Sequence, residues 1–189
     1  MPKLCTYIVK YDHGLAPNPF FDWCTLAVCT PNHQGIRLEQ GDWIAGFYDK
    51  SHGYKFLYAM VVEERIRMDD YFKDSRFQDK KPISNGTPKQ HAGDNFYSTD
   101  KSGNWYQHDN PFHLGEDHKK QDTRYPWVYV APKFWYLGER ARDLPPEFLT
   151  LVGGYGSRVH CHPPGLPEKF MAWVEKECSE GMLALPRDM

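Results

Sequence analysis

The sequence predicts an α+β fold: a curved, mostly antiparallel sheet, or a β-barrel of the same strands, with a few helices. Three observations carry this. Short runs rich in β-branched and aromatic residues recur before residue 70 and again after residue 126. Between them, residues 75–121 show no sustained apolar period, and residues 167–178 hold the clearest helical one.

In chain order, Tyr7, Ile8 and Val9 sit in a first strand over residues 4–11, ended by the Asp12-His13-Gly14 turn. Residues 24–29 form a second strand and residues 43–48 a third, introduced by Gly41-Asp42. Residues 56–66 read as one long strand. Phe56, Tyr58, Met60 and Val62 fall on one face and Leu57, Ala59 and Val61 on the other, so both faces are apolar and the strand is central. Asp69 and Asp70 place acidic groups at the positive end of a short helix through Tyr71-Phe72.

The long middle stretch, 75–121, is an irregular segment of the kind that is functional or disordered, and Phe77, Phe96, Tyr97, Trp105, Tyr106 and Phe112 argue against disorder. Strands return at 127–131 and 134–137. Residues 143–149 start a helix with proline near its first position. Gly153-Gly154-Tyr155-Gly156 lacks the Lys-Ser/Thr of a phosphate loop and reads as a turn. In 167–178, Phe170, Trp173, Val174 and Cys178 share a face opposite Glu168, Lys169, Glu175 and Lys176, an amphipathic helix docked on the sheet.

With 189 residues the chain is expected to form a single domain, 1–189, able to bury about 70% of its unfolded surface without metal or disulfide. No apolar run reaches the roughly 18 residues that cross a bilayer, and the N-terminus has no signal-like pattern, so the expected location is cytoplasmic, without membrane partners. Five widely spaced cysteines suit reduced thiols, and none has a local signature of reactivity. A net charge of −2 excludes a general polyphosphate-binding surface. Only Lys73, Arg76, Lys80, Lys81 and Lys89 gather into a basic segment, a pattern more often a solvated face.

The stretch 10–48 packs turn formers and aromatics between apolar runs. Pro17 and Pro19 stiffen a loop in which Asn18 offers an acceptor and two donors at a fixed place. The residues Y-x-x-x-Y-D-x-G-x-A-P-N-P-F (7–20), C-T-L-A-x-C (24–29), I-R (36–37) and G-D-W-I-x-G (41–46) resemble the second nucleotide modification associated domain family. So do D-x-R-F-x-x-K-K-P (74–82), G-D-N-x-Y (93–97), His113, Asp122 and F-x-Y-x-G (134–138), which extends the resemblance over roughly three quarters of the chain. The family is named for genomic company with DNA-base modification systems. The resemblance therefore implies a role beside modification, restriction or defence systems of bacteria or phage, with nucleotide or nucleic acid, most simply DNA bearing a modified base, as ligand and the other proteins of such a system as partners. By fold analogy alone, the strand order is similar to the PUA-like barrels that include ASCH and EVE domains.

The polar set carried by the resemblance is Asp12, Asn18, Arg37, Asp42, Lys81, Asp94, Asn95, His113 and Asp122. Each has a structural alternative in Asx turns, strand entries and backbone caps. In a binding module, Trp43, Phe96, Tyr97, Trp105 and Tyr136 are the stacking candidates and Asn18, Asp94 and Asn95 the base-edge readers. Arg37, Lys80 and Lys81 would hold phosphate, with Asp12 a further member of the nucleotide set. In an enzyme, His113 and Asp122 would be the acid/base pair and Lys81 would stabilise developing charge. A structural subunit of a larger assembly is the third reading. The motifs of zinc deaminases, serine hydrolases and dinucleotide enzymes are missing. His160-Cys161-His162 has alternate residues on opposite faces and no second ligand pair at zinc-like spacing, and the polar-loop group His108, His113, Glu116, Asp117, His118 and Asp122 needs no special explanation, so neither a metal nor a cofactor is expected.

Overall fold

The computed structural model describes residues 1–29, 36–152 and 162–189. It is an α+β structure. Strands β1 (Leu4–Ile8), β3 (Trp43–Phe47), β4 (Phe56–Val61), β9 (Phe134–Tyr136) and β10 (Gly181–Met182) form one sheet in that order. The inner pairs β3/β4 and β4/β9 are antiparallel, while β1 runs parallel to β3 and β10 parallel to β9. A second, antiparallel sheet has the order β2 (Cys24–Leu26), β8 (Trp127–Ala131), β5 (Glu64–Arg67). Among the described residues the strands do not close into a barrel, so the sheet form of the expected architecture is the one found.

Side-chain alternation sorts the core into three layers. Ile44, Tyr58 and Met60 of the first sheet pack on Cys24, Leu26 and Tyr129 of the second. On the far face of the first sheet, Trp43, Phe47, Phe56 and Trp135 meet Phe170 and Val174 of helix α4 (Leu166–Glu177). On the far face of the second sheet, Val128 and Val130 meet Tyr71, Phe77, Phe96 and Tyr97. β4 lies between β3 and β9, as two apolar faces require.

The 56–66 run is not one strand. After Val61 the chain turns: Val62 N–H donates to Asp42 O at 2.8 Å and Glu63 N–H to Val130 O at 2.9 Å, so β5 joins the other sheet. The apolar alternation ends at Val62, and Glu63-Glu64-Arg65 cannot follow it into the core. Strand 24–29 is shorter than expected because β2 stops at Leu26 and Cys29 has φ +59°. The acidic-led helix forms as α1 (Met68–Lys73). Residues 143–149 give a 3-10 turn, Pro146–Leu151, after Pro145. The Gly153–Gly156 turn and the His160-Cys161 pair lie outside the described residues.

The middle segment is not structureless. It holds a 3-10 turn (Ser75–Lys80), helix α2 (Pro88–His91), the hairpin of β6 (Tyr97–Thr99) and β7 (Trp105–Gln107), and helix α3 (Glu116–Thr123). Thr87 caps α2 through Gln90 N–H, and Gln90 Oε1 accepts from Thr87 N–H at 2.9 Å. α3 has no apolar stripe; its buried residue is Asp122, which is why periodicity could not locate it. Among the described residues no helix is long and apolar enough to cross a membrane.

Candidate functional site

Residues 9–29 and the middle segment face each other. Gly14 makes the turn at φ +73°, where a Cβ would stand 2.7 Å from the Phe20 ring. Asn18 and Thr25 exchange backbone hydrogen bonds at 2.9 Å. The Lys80 ammonium then donates to Asn18 O (3.1 Å), Asn18 Oδ1 (2.8 Å) and Trp23 O (2.8 Å), and Asn18 Nδ2 donates to Ala92 O (2.9 Å). Thr25 and Tyr71 hydroxyls donate to the Asp94 carboxylate at 2.6 and 2.7 Å, and Asn95 Nδ2 donates to Tyr71 O and Phe77 O.

Asn18, Lys80, Asp94 and Asn95 are thus brought together, at 0–1% exposure, as an internal brace. Burial pulls the Lys80 amine down to about 8, opposed by the nearby Asp94 charge. Burial likewise raises the Asp94 carboxyl, against the pull of Lys80.

The brace ties the proline loop to residues 80–95, and a set of hollows lies beside it between two walls. One, of about 330 Å³, is lined by Lys10, Tyr11, His13 and Cys29 from the first wall and Phe112, His113 and His118 from the second. Tyr11 and His13 stack at 6.1 Å and His13 and Phe112 at 5.6 Å, so three rings run from one wall to the other. A neighbouring hollow of about 470 Å³ lies against Ser84, His91, Gln107, Asn110 and the same His113.

His113 is held from every side. Asn110 Oδ1 accepts its backbone N–H at 2.7 Å, and Gln107 Nε2 donates to its carbonyl. Its Nδ1 bonds Asp122 Oδ2, which also accepts from the Tyr97 hydroxyl at 3.1 Å. In the neutral tautomer whose Nδ1–H donates to the carboxylate, Nε2 is the lone-pair nitrogen; Nε2 stands 3.4 Å from Cys29 Sγ. The His118 ring stacks on His113 at 4.9 Å. α3 supplies Asp122 from its last turn after Gly115 admits the chain at φ +84°.

The other expected residues lie apart from these hollows. The Asp12 carboxylate accepts from Tyr48 Oη (2.9 Å), Tyr136 Oη and Arg187 N–H (3.1 Å), which ties the C-terminal segment to the first sheet. Trp43 stacks on Trp135 at 5.0 Å under α4. Asp42 accepts from Lys3 and Glu39 N–H groups at 2.7 and 2.9 Å at the entrance to β3. Arg37 is exposed and pairs with Glu39 at 3.2 Å. Lys81 sits 3.7 Å over the Phe72 ring. Phe96 and Tyr97 are buried beneath His113, and Trp105 is partly buried against the same core.

Lys10, Tyr11, His13 and Cys29 were not among the expected site residues. Their signal was positional only: they flank the proline loop, and nothing local ties Cys29 to a histidine 84 residues away.

Fold and site together define an α+β protein in which a buried polar brace holds a ring-lined hollow against a carboxylate-oriented histidine. A family model described as nucleotide modification associated domain 2 matches residues 1–189, the whole chain, which belongs to that family. No match was found among curated proteins or among solved structures.

Proposed function

We propose that the hollow between the proline loop and residues 112–118 binds a nucleotide or a flipped, modified base, as part of a DNA modification or defence system. The observation that carries this reading is the run of rings Tyr11, His13 and Phe112 along a hollow of about 330 Å³, with Lys10 at its rim. Pockets for small ligands span about 300–1,000 Å³. Every base has a π-face, so stacking rings accept one without demanding a sequence, and an ammonium at the rim suits its phosphate. The Asn18–Lys80–Asp94–Asn95 brace serves the site by fixing the distance between its walls.

Titration with mononucleotides and with oligonucleotides carrying modified or unmodified bases, at low and physiological salt, tests the reading. Binding is expected, and Phe112→Ala is expected to weaken it by about 1–3 kcal/mol, roughly 5- to 150-fold. Failure of all these ligands at both salt concentrations removes the proposal.

A second reading, an enzyme acting on the bound base, is favoured by one observation. His113 is oriented by the buried Asp122 and borders both hollows. A histidine so held is a general acid/base, a role that contributes about 10²- to 10⁴-fold. In an enzyme, His113→Asn lowers conversion of bound nucleotide, followed by mass spectrometry, at least about 100-fold. A binding module converts nothing with either chain.

A further inference from the structure

Cys29 and Asp122 meet the two nitrogens of one imidazole, that of His113. The imidazole places Nε2 at 3.4 Å from the Cys29 sulfur, while its Nδ1 is bonded to the Asp122 carboxylate. Cys29 is a partly exposed residue that lines the ring-walled hollow, its thiol lying toward the buried side. Its backbone has φ +59°, a left-handed conformation that a non-glycine residue seldom adopts and that clusters at functional positions. By contrast, Cys5 and Cys24 are wholly buried in the inter-sheet core.

We propose that Cys29 is a covalent nucleophile that takes an acyl group from an ester, thioester or amide, with His113 as its proton acceptor and Asp122 as the positioning residue. This deepens the enzymatic reading above and rests on the nucleotide reading only for what carries or receives the acyl group.

The chemistry follows from where the imidazole stands. Burial, and after it the Asp122 charge, push the Cys29 thiol up to about 12, so it rests protonated at neutral pH. Attack on a carbonyl carbon forms the S–C bond as the thiol proton passes to His113 Nε2. The tetrahedral intermediate then collapses, the C–O, C–S or C–N bond breaks, and the same proton goes to the departing atom. Water or an amine on the acceptor attacks the thioester, giving its proton to Nε2, which returns it to the sulfur. No oxidant or reductant is needed. One base adjacent to the sulfur serves both transfers, which is why this arrangement suits acyl exchange.

p-Nitrophenyl acetate is the probe, used on the full 189-residue chain. The expected result is a burst of about one nitrophenolate per chain, with the acetyl group found on the Cys29 peptide by mass spectrometry. Cys29→Ala abolishes the burst, and His113→Asn slows it at least about 100-fold. Asp122→Asn slows it too and shifts the pH dependence of the burst rate, which a residue serving only the fold would leave unchanged. Within the wild-type protein, partly exposed Cys178 is the control, independent of whether any variant folds. Acetylation of Cys178 as fast as Cys29, or a burst unchanged in a folded His113→Asn chain, overturns the proposal. Nucleotide binding by the wild-type protein is measured in parallel. Binding without a burst removes only the covalent step, and a burst without binding removes only the nucleotide reading.

Discussion

Replacing Lys80 with methionine is expected to lower the unfolding free energy by about 3 kcal/mol at pH 7, read as a shift in the urea midpoint of tryptophan fluorescence. The side chain is 1% exposed, and its ammonium gives three hydrogen bonds to Asn18 and Trp23 oxygens. Bonds from a charged donor contribute roughly 1.5–3 kcal/mol each, offset in part by no longer burying the charge. Methionine fills a similar volume and donates nothing.

The variant also changes the pH dependence. Folded Lys80 titrates at about 8, below its ordinary 10.5, because burial disfavours the ammonium. Between those values the unfolded chain binds the extra proton, so this group makes stability rise with pH across the window and adds no slope below it. The gap between wild type and Lys80→Met should therefore widen from pH 8 toward 10.5, by at most ~1.4 kcal/mol per pH unit. A gap that stays constant, or a variant as stable as wild type at pH 7, refutes the role given to the brace.

The second large effect is expected at Asp12. In Asp12→Ala the Tyr48 and Tyr136 hydroxyls and the Arg187 N–H lose their shared acceptor. Stranding buried donors costs about 1–3 kcal/mol each, and Tyr48 keeps a longer bond to Gly138 O at 3.3 Å, so a loss of about 3 kcal/mol is expected. The loss has a location. Asp188 N–H donates to Asp12 O and Asp188 Oδ2 accepts Asp12 N–H, so this corner holds the last residues against β1 and β9. Faster amide exchange and carboxypeptidase trimming confined to residues 185–189 would accompany the drop. Protection equal to wild type there would show that the C-terminal segment is held by other contacts.

Residue patterns placed most of the framework. The strands at β1, β3, β8 and β9, and helix α4, were legible because alternation and helical spacing are local records of which face is buried. The break between β4 and β5 was only half legible: the charges at Glu63-Glu64-Arg65 were visible, but not that the strand would change sheets there. α3 left no pattern at all, since a helix that buries a single carboxylate has no stripe to read.

The chemistry-bearing residues divide in the same way. His113 and Asp122 were picked out by resemblance, and the structure makes them neighbours. Asn18, Asp94 and Asn95 were picked out with them and Lys80 as a phosphate holder, and the structure directs their polar groups to an Asn18–Lys80 contact, the Thr25 and Tyr71 hydroxyls and backbone carbonyls rather than to the hollow. Residue type alone does not distinguish a group that reads a ligand from one that braces the loop beside it, because both need donors and acceptors at fixed places.

By itself, the sequence determined the family, the α+β class, the strands' apolar faces and the stiff proline loop, all of which depend on residue identity and short-range periodicity. Tertiary structure alone decided that Cys29 meets His113, and that Tyr11, His13 and Phe112 line one hollow. Those contacts are made between distant loops, across buried polar bonds whose partners are chosen by the packing of two sheets and leave no period along the chain.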